Sequence, residues 1–134
     1  MILLKAECSI YGENFSPAAV EKATGLKFAV KNEPNEMGSV GRYANKPIPY
    51  GASTLESDVK IEQGSTLDAL LDLLEQHAST FRKYGAEDIV LHCDVFHDGQ
   101  CNFEFSPKQV ARIAKAGVAL TVSCYEDNCG QVAH

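Results

Sequence analysis

Basic side chains are scarce in this chain: twelve lysines and arginines stand against eighteen aspartates and glutamates, for a formal net charge of −6 and a pI near 5.1. Binding nucleic acid through its phosphates needs clustered Lys and Arg, so direct nucleic-acid binding is not expected; a protein partner with a basic surface is. Long apolar runs are missing too. No stretch is long enough to span a bilayer, and the opening MILLKAECSIYG has no basic start and too short an apolar run for a signal peptide. We therefore expect no membrane association and cytoplasmic residence. Catalytic signatures are equally thin. No Gly-rich loop precedes a helix to cradle a phosphate, since Gly38 and Gly41 lead into Pro-containing chain, and no Gly-x-Ser-x-Gly elbow occurs. Metal-ligand spacing is weak: His92, Cys93 and His97 are one candidate set and Cys124 with Cys129 another, neither forms a Cys-x-x-Cys knuckle, and strand alternation sends His92 and Cys93 to opposite faces.

Five cysteines is an odd number, and Cys8, Cys93, Cys101 and Cys124 sit inside apolar strand-like runs. In a reducing compartment they read as small buried hydrophobes with free thiols, leaving Cys129 near the C-terminus as the exposed one. A cysteine nucleophile needs an electropositive, partly exposed setting with a neighbouring base, which core-facing Cys8, Cys93 and Cys124 lack. The sequence thus predicts no metal, no cofactor and no enzymatic activity.

What is present is a local grammar used twice. FSPKQVARIAKAGVALTV, from Phe105 to Val122, offers Ser106 as N-cap, Pro107 in the first turn and Gln109 to complete a capping box. Val110, Ile113 and Ala114 recur at helical spacing, Gly117 stops the helix, and Val118 to Val122 is extended. FSPAAVEKATGLKFAV, from Phe15 to Val30, repeats the pattern with a helix over about Pro17 to Thr24, a stop at Gly25 and a strand at Lys27 to Lys31. Such units join parallel strands by a right-handed crossover, and the two copies are expected to superimpose.

The rest of the chain fits around these units. Residues 2 to 11 alternate as a strand with one buried side. Asn32 to Gly51 is rich in Asn, Gly, Pro and Tyr; it is either a surface insertion or a binding loop carrying Arg42, Tyr43 and Tyr50. Ala52 to Ile61 is extended. Ser65 opens the longest helix, with Asp68 as its capping partner, Leu67, Leu70, Leu71, Leu74, Ala78 and Phe81 on one stripe, and Gly85 as its stop. That stripe can pack on the chain's own sheet or serve a partner helix. Asp88 to Ser106 is expected as a hairpin with a three-residue loop, His97-Asp98-Gly99. This register pairs Val95 with Cys101, Cys93 with Phe103 and Leu91 with Phe105 on the core side, and places Asp94 opposite Asn102 and His92 opposite Glu104 outside. Past Tyr125 the chain reads as a frayed tail.

The expected fold is a single α+β domain over residues 1–134: a mixed sheet of about six strands with three helices on one face and ferredoxin-like connectivity. The open side of that sheet would show Glu7, Ser9, Tyr11, His92, Asp94, Phe96, Asn102, Glu104, Thr121, Ser123 and Tyr125. Such a face is either the wet side of a sheet or a recognition surface, because Tyr and Phe among polar groups are what recognition surfaces favour. The candidate binding residues are therefore Glu7, Tyr11, Arg42, Tyr43, Tyr50, His92, Asp94, Phe96, Glu104 and Tyr125.

IYGENFSPAAVEKATGL followed by Glu33-Pro34, GASTLES from Gly51 to Ser57, the leucine helix, and FSPKQVARIAKAGVALTVSCY ending at Tyr125 together resemble the bacterial family known as domain of unknown function 4279. The resemblance covers most of the chain. Where the family has Gly-x-Trp-x-Leu-x-Ser, this sequence has Ser53 in the Trp position and no Trp anywhere. The resemblance implies a compact α+β domain, transfers no catalytic residues, and suits toxin-immunity and phage-defence settings. Function is then expected to be binding of the immunity or inhibitor type through an acidic surface; the alternative is a small-molecule pocket under the 32–51 loop. An enzyme would need His92 and Glu104 as a base pair in a cleft.

Overall fold

The computed structural model describes residues 2–57 and 66–126. In chain order they form β1 (Ile2–Gly12), α1 (Pro17–Thr24), β2 (Val30–Asn32), a 3-10 turn (Gly41–Tyr43), β3 (Gly51–Glu56), α2 (Thr66–Lys83), β4 (Asp88–His97), α3 (Pro107–Ala116) and β5 (Ala119–Glu126). Five strands make one mixed sheet in the order β2-β3-β1-β4-β5, with β2 antiparallel to β3 and β4 parallel to β5. This is the expected α+β class with ferredoxin-like connectivity: β3 lies between β1 and β2, β4 lies on the other side of β1, and α3 with β5 extends the pattern by one strand. The chain divides into two compact units, one of Met1–Cys8, Glu56–Gln76 and Val90–His134, the other of Ser9–Leu55 and His77–Ile89.

The helix ends follow from local chemistry. At α3 the Ser106 hydroxyl accepts the Gln109 N–H at 3.1 Å while the Gln109 side chain accepts the Ser106 N–H at 2.9 Å, and Gly117 closes the helix in the left-handed region. At α1 the Ser16 hydroxyl accepts the Ala19 N–H at 3.2 Å, and Gly25 is the left-handed stop. Ser65, read as the start of α2, lies outside the described residues, as do Ile61, Cys129 and the rest of the expected tail past Glu126, which itself belongs to β5.

In the first unit, Leu67, Leu70, Leu71 and Leu74 of α2 are buried, as are Ala6, Cys8, Leu91, Cys93, Val95 and Ile113. Each fully buried leucine stabilises the fold by about 1.5–3 kcal/mol relative to exposure. The Thr66 hydroxyl accepts the Ala6 N–H at 2.9 Å and donates to the Leu4 carbonyl at 3.2 Å, which fixes the start of α2 on β1. Arg112 of α3 reaches Asp72 and, at 2.5 Å, Glu75 of α2, while the Gln109 amide donates to Asp68 at 3.0 Å. In the second unit, Ile10, Phe15, Val20, Phe28, Leu55, Ala78, Phe81 and Ile89 are buried, with the Phe28 and Phe81 rings 6.2 Å apart.

Several sequence expectations are corrected. The hairpin is absent: β4 has β1 on one edge and β5 on the other, so no edge remains for residues 101–105, which are not a strand. Phe103, placed in the core by that register, is 37% exposed, and its ring packs edge-on against Phe105 instead. The two Ser-Pro units also differ in topology. α3 links adjacent parallel strands, whereas α1 links β1 to a strand with β3 in between. β2 begins at Val30 and not at Lys27, because the Glu21 carboxylate of α1 takes the Phe28 N–H at 3.0 Å before the ladder starts. Only Ile113 of the α3 triplet is buried; Val110 is 52% exposed.

Candidate functional site

The 32–51 loop carries its own bonding. Asn35 N–H donates to Ile48 O at 2.7 Å, Ile48 N–H to Glu36 O at 2.8 Å, Gly38 N–H to Lys46 O at 2.9 Å and Asn45 N–H back to Gly38 O at 2.9 Å. Asn35 and Asn45 adopt the left-handed conformation that these turns require. Within this frame the Arg42 guanidinium lies 5.6 Å from the centre of the Tyr43 ring, and Tyr43 meets Tyr50 edge-to-face at 6.0 Å. The Asn32 side-chain amide donates to the Tyr50 carbonyl at 2.9 Å. The loop thus holds Pro49 and Tyr50 in place.

Opposite them stands a set of short backbone contacts. Glu87 N–H donates to Tyr11 O at 3.0 Å, Ser16 N–H to Tyr84 O at 3.2 Å and Phe15 N–H to Gly12 O at 3.2 Å. Glycine is required here. Gly85 has φ 104°, and a Cβ on it would stand 2.6 Å from the Asn14 carbonyl oxygen; a Cβ on Gly12 would strike the Gly85 carbonyl. The Glu13 N–H donates to the Glu87 carboxylate at 2.8 Å, which orients that acid.

Between these walls opens a cleft of about 390 Å³ lined by Tyr11, Gly12, Glu13, Pro49, Tyr50, Glu87 and Asp88. Its volume falls in the range of small-ligand sites, about 300–1,000 Å³. Two phenol rings and a proline give it apolar walls, Glu13, Glu87 and Asp88 give it three carboxylates, and among the described residues no Lys, Arg or His lines it. Tyr11 and Tyr50 are 40% and 37% exposed, so their rings are open to a ligand. Such a lining attracts a cation that carries an apolar stem.

A second cluster sits in the other unit, on β4 and β5. The parallel register sets His92 beside Thr121, Asp94 beside Ser123 and Phe96 beside Tyr125. His92 Nδ1 bonds to the Thr121 hydroxyl and Nε2 to the Asp94 carboxylate at 2.9 Å, while the Phe96 and Tyr125 rings stack at 5.5 Å. A hydroxyl, an imidazole and a carboxylate in series are the parts that activate a hydroxyl nucleophile. Acyl transfer also requires donors aimed at an oxyanion, from backbone N–H groups or from side chains, and the N–H groups of β4 and β5 lie in the plane of the sheet.

Of the sequence-derived candidates, Tyr11 and Tyr50 meet in the cleft, Arg42 and Tyr43 brace Tyr50, His92 pairs with Asp94, and Phe96 pairs with Tyr125. Glu7 is half-buried on β1, facing away from buried Ala6 and Cys8. Glu104 is exposed in the stretch that is not a strand, so its expected place opposite His92 is taken by Thr121; Asn102 likewise leaves the sheet face. Sequence reasoning missed Glu13, Glu87, Asp88 and Thr121 as site residues. Glu13 follows Gly12, and Glu87 and Asp88 follow the Gly85 stop after one intervening residue, a turn signal that could have marked them, whereas Thr121 needed the β4–β5 register.

Cys124, expected in the core, is exposed because β5 is the sheet's edge strand, and burial, followed by the neighbouring Cys124 thiol, pushes the Cys101 thiol above its ordinary value. Burial pushes the Cys8 thiol up to about 12 and Cys93 up to about 11. Among the described residues no three His, Cys, Asp or Glu side chains are grouped to hold a metal ion, and no helix is long and apolar enough to cross a membrane. No family model, curated protein or solved structure matches the chain.

Proposed function

We propose that this is a non-enzymatic binding protein of the immunity or inhibitor type, resident in the cytoplasm, which engages a protein partner with a basic surface. The observation that carries this reading is the cleft lining: three carboxylates and two tyrosines with no basic group among the described residues, on a chain of net charge −6. Complementary charge accelerates association and makes it salt-dependent. The resemblance to domain of unknown function 4279 supports the immunity and phage-defence setting. Affinity capture from the native host, analysed by mass spectrometry, tests the proposal: a specific partner rich in Lys and Arg, released by moderate salt, is the expected result, and recovery of none counts against it.

A second reading draws on the same cleft. Pro49 and Tyr50 of the 32–51 loop wall it, which favours a small-molecule pocket roofed by that loop. Ligand-dependent thermal stabilisation with a panel of small cationic metabolites would favour this reading over the first.

A further inference from the structure

We infer that the cleft between Tyr11 and Tyr50 receives an arginine side chain of the protein partner; this rests on the binding function proposed above and names the group that is bound. Three properties of the site select the ligand. Its acids, Glu13, Glu87 and Asp88, are all at the surface and have no basic residue beside them among the described residues of the lining, so an incoming cation meets a site of net negative charge. Its walls are phenol rings and a proline, which suit the flat apolar face of a guanidinium and the methylene stem behind it. Its opening at the surface lets a side chain enter while its backbone stays outside.

Arginine fits these properties better than lysine. The guanidinium is planar and weakly hydrated, stacks on aromatic rings and can engage a carboxylate with two parallel N–H bonds, whereas the ammonium of lysine is a compact, strongly hydrated point charge. The same loop already shows the pairing, with Arg42 over Tyr43 at 5.6 Å. The Glu13 N–H fixes the Glu87 carboxylate before any ligand arrives, which lowers the ordering cost of binding. Free arginine is a poorer ligand than an arginine within a chain, because its own carboxylate would face the three acids.

The test is titration of the full chain with blocked Gly-Arg-Gly peptide, followed by amide correlation NMR. Saturable shifts at Gly12, Glu13, Tyr50 and Asp88 are expected. The Gly-Lys-Gly peptide should bind about tenfold more weakly, a difference of about 1.4 kcal/mol. The neutral citrulline peptide and free arginine should give little shift. Tyr50→Ala and the double substitution Glu13→Gln, Asp88→Asn should each abolish the response while leaving the remaining amide spectrum in place. Equal shifts with citrulline, shifts elsewhere on the chain, tighter binding of free arginine than of the peptide, or no response to the arginine peptide would each overturn the inference. Host capture keeps the two claims apart: a partner retained equally by the Glu13→Gln, Asp88→Asn chain would remove arginine docking from the cleft while the binding function stands.

Discussion

Glu33 caps a helix to which it does not belong: one carboxylate oxygen accepts the Ser16 hydroxyl at 2.5 Å and the other takes the Ala18 N–H at 3.0 Å at the start of α1. Ser16 in turn caps Ala19, so the acid at the head of the 32–51 loop is tied to the first turn of α1 through one backbone N–H and the hydroxyl that itself accepts a second. A carboxylate there also meets the positive end of the helix dipole. We predict that Glu33→Ala destabilises the protein by about 1–2 kcal/mol in urea denaturation, as loss of a helix cap does. No change in the denaturation midpoint would contradict this account of the loop's attachment.

Ser53 presents the opposite case. It lies on β3 opposite Lys31, is 5% exposed, and its hydroxyl is buried without a hydrogen-bond partner among the described residues. An unsatisfied buried hydroxyl costs about 1–3 kcal/mol, and removing it removes the penalty. Ser53→Ala should therefore be neutral or raise stability by up to about 1 kcal/mol, read by the same denaturation; a clear loss of stability would show that the hydroxyl has a partner.

The Glu21–Lys31 pair sets an acid limit. The hydrogen bond from Lys31, then that from the Phe28 backbone, hold the Glu21 carboxyl below the usual carboxylate range. A lowered folded-state value contributes stability that is present above the unfolded value of about 4.3 and is lost as pH falls through the folded one. Glu21→Gln should thus lower the melting temperature near neutral pH and have little effect once the medium is acidic enough to protonate the wild-type carboxyl. An equal effect at both ends of the pH range would contradict the pairing.

Thiol reactivity should follow exposure along the chain. Cys124 is exposed and Cys101 half-buried, whereas Cys8 and Cys93 are fully buried with raised pKa values. Alkylation of the native protein followed by peptide mapping should label Cys124 and then Cys101, with Cys8 and Cys93 reacting only on unfolding. Rapid labelling of Cys93 would contradict the burial of β4.

Local chemistry was legible in the sequence, and pairing between distant segments was not. Ser16, Ser106 with Gln109, Gly25 and Gly117 each act through neighbours within four residues, so their roles could be read directly. The leucine stripe of α2 could be read because its burial follows helical spacing. Cys101, Phe103 and Phe105 alternate like a strand, yet β1 and β5 occupy both edges of β4, a fact that only the fold reveals. The same exchange placed Thr121 beside His92 in place of Glu104 and left Cys124 on an uncovered edge strand. Tyr11 and Tyr50 were recognised by type, while the acids of the cleft come from the turn after β1 and the start of β4, brought together by the close contact of Gly12 with Gly85.

The most direct test of the central claim compares host capture by the wild-type chain with capture by Glu13→Gln, Asp88→Asn at low and moderate salt. The account predicts that the wild type recovers a specific basic protein at low salt, loses it as salt rises, and that the substituted chain recovers far less of it. Recovery of no specific protein by the wild type, or capture that ignores both salt and the substitutions, would contradict it.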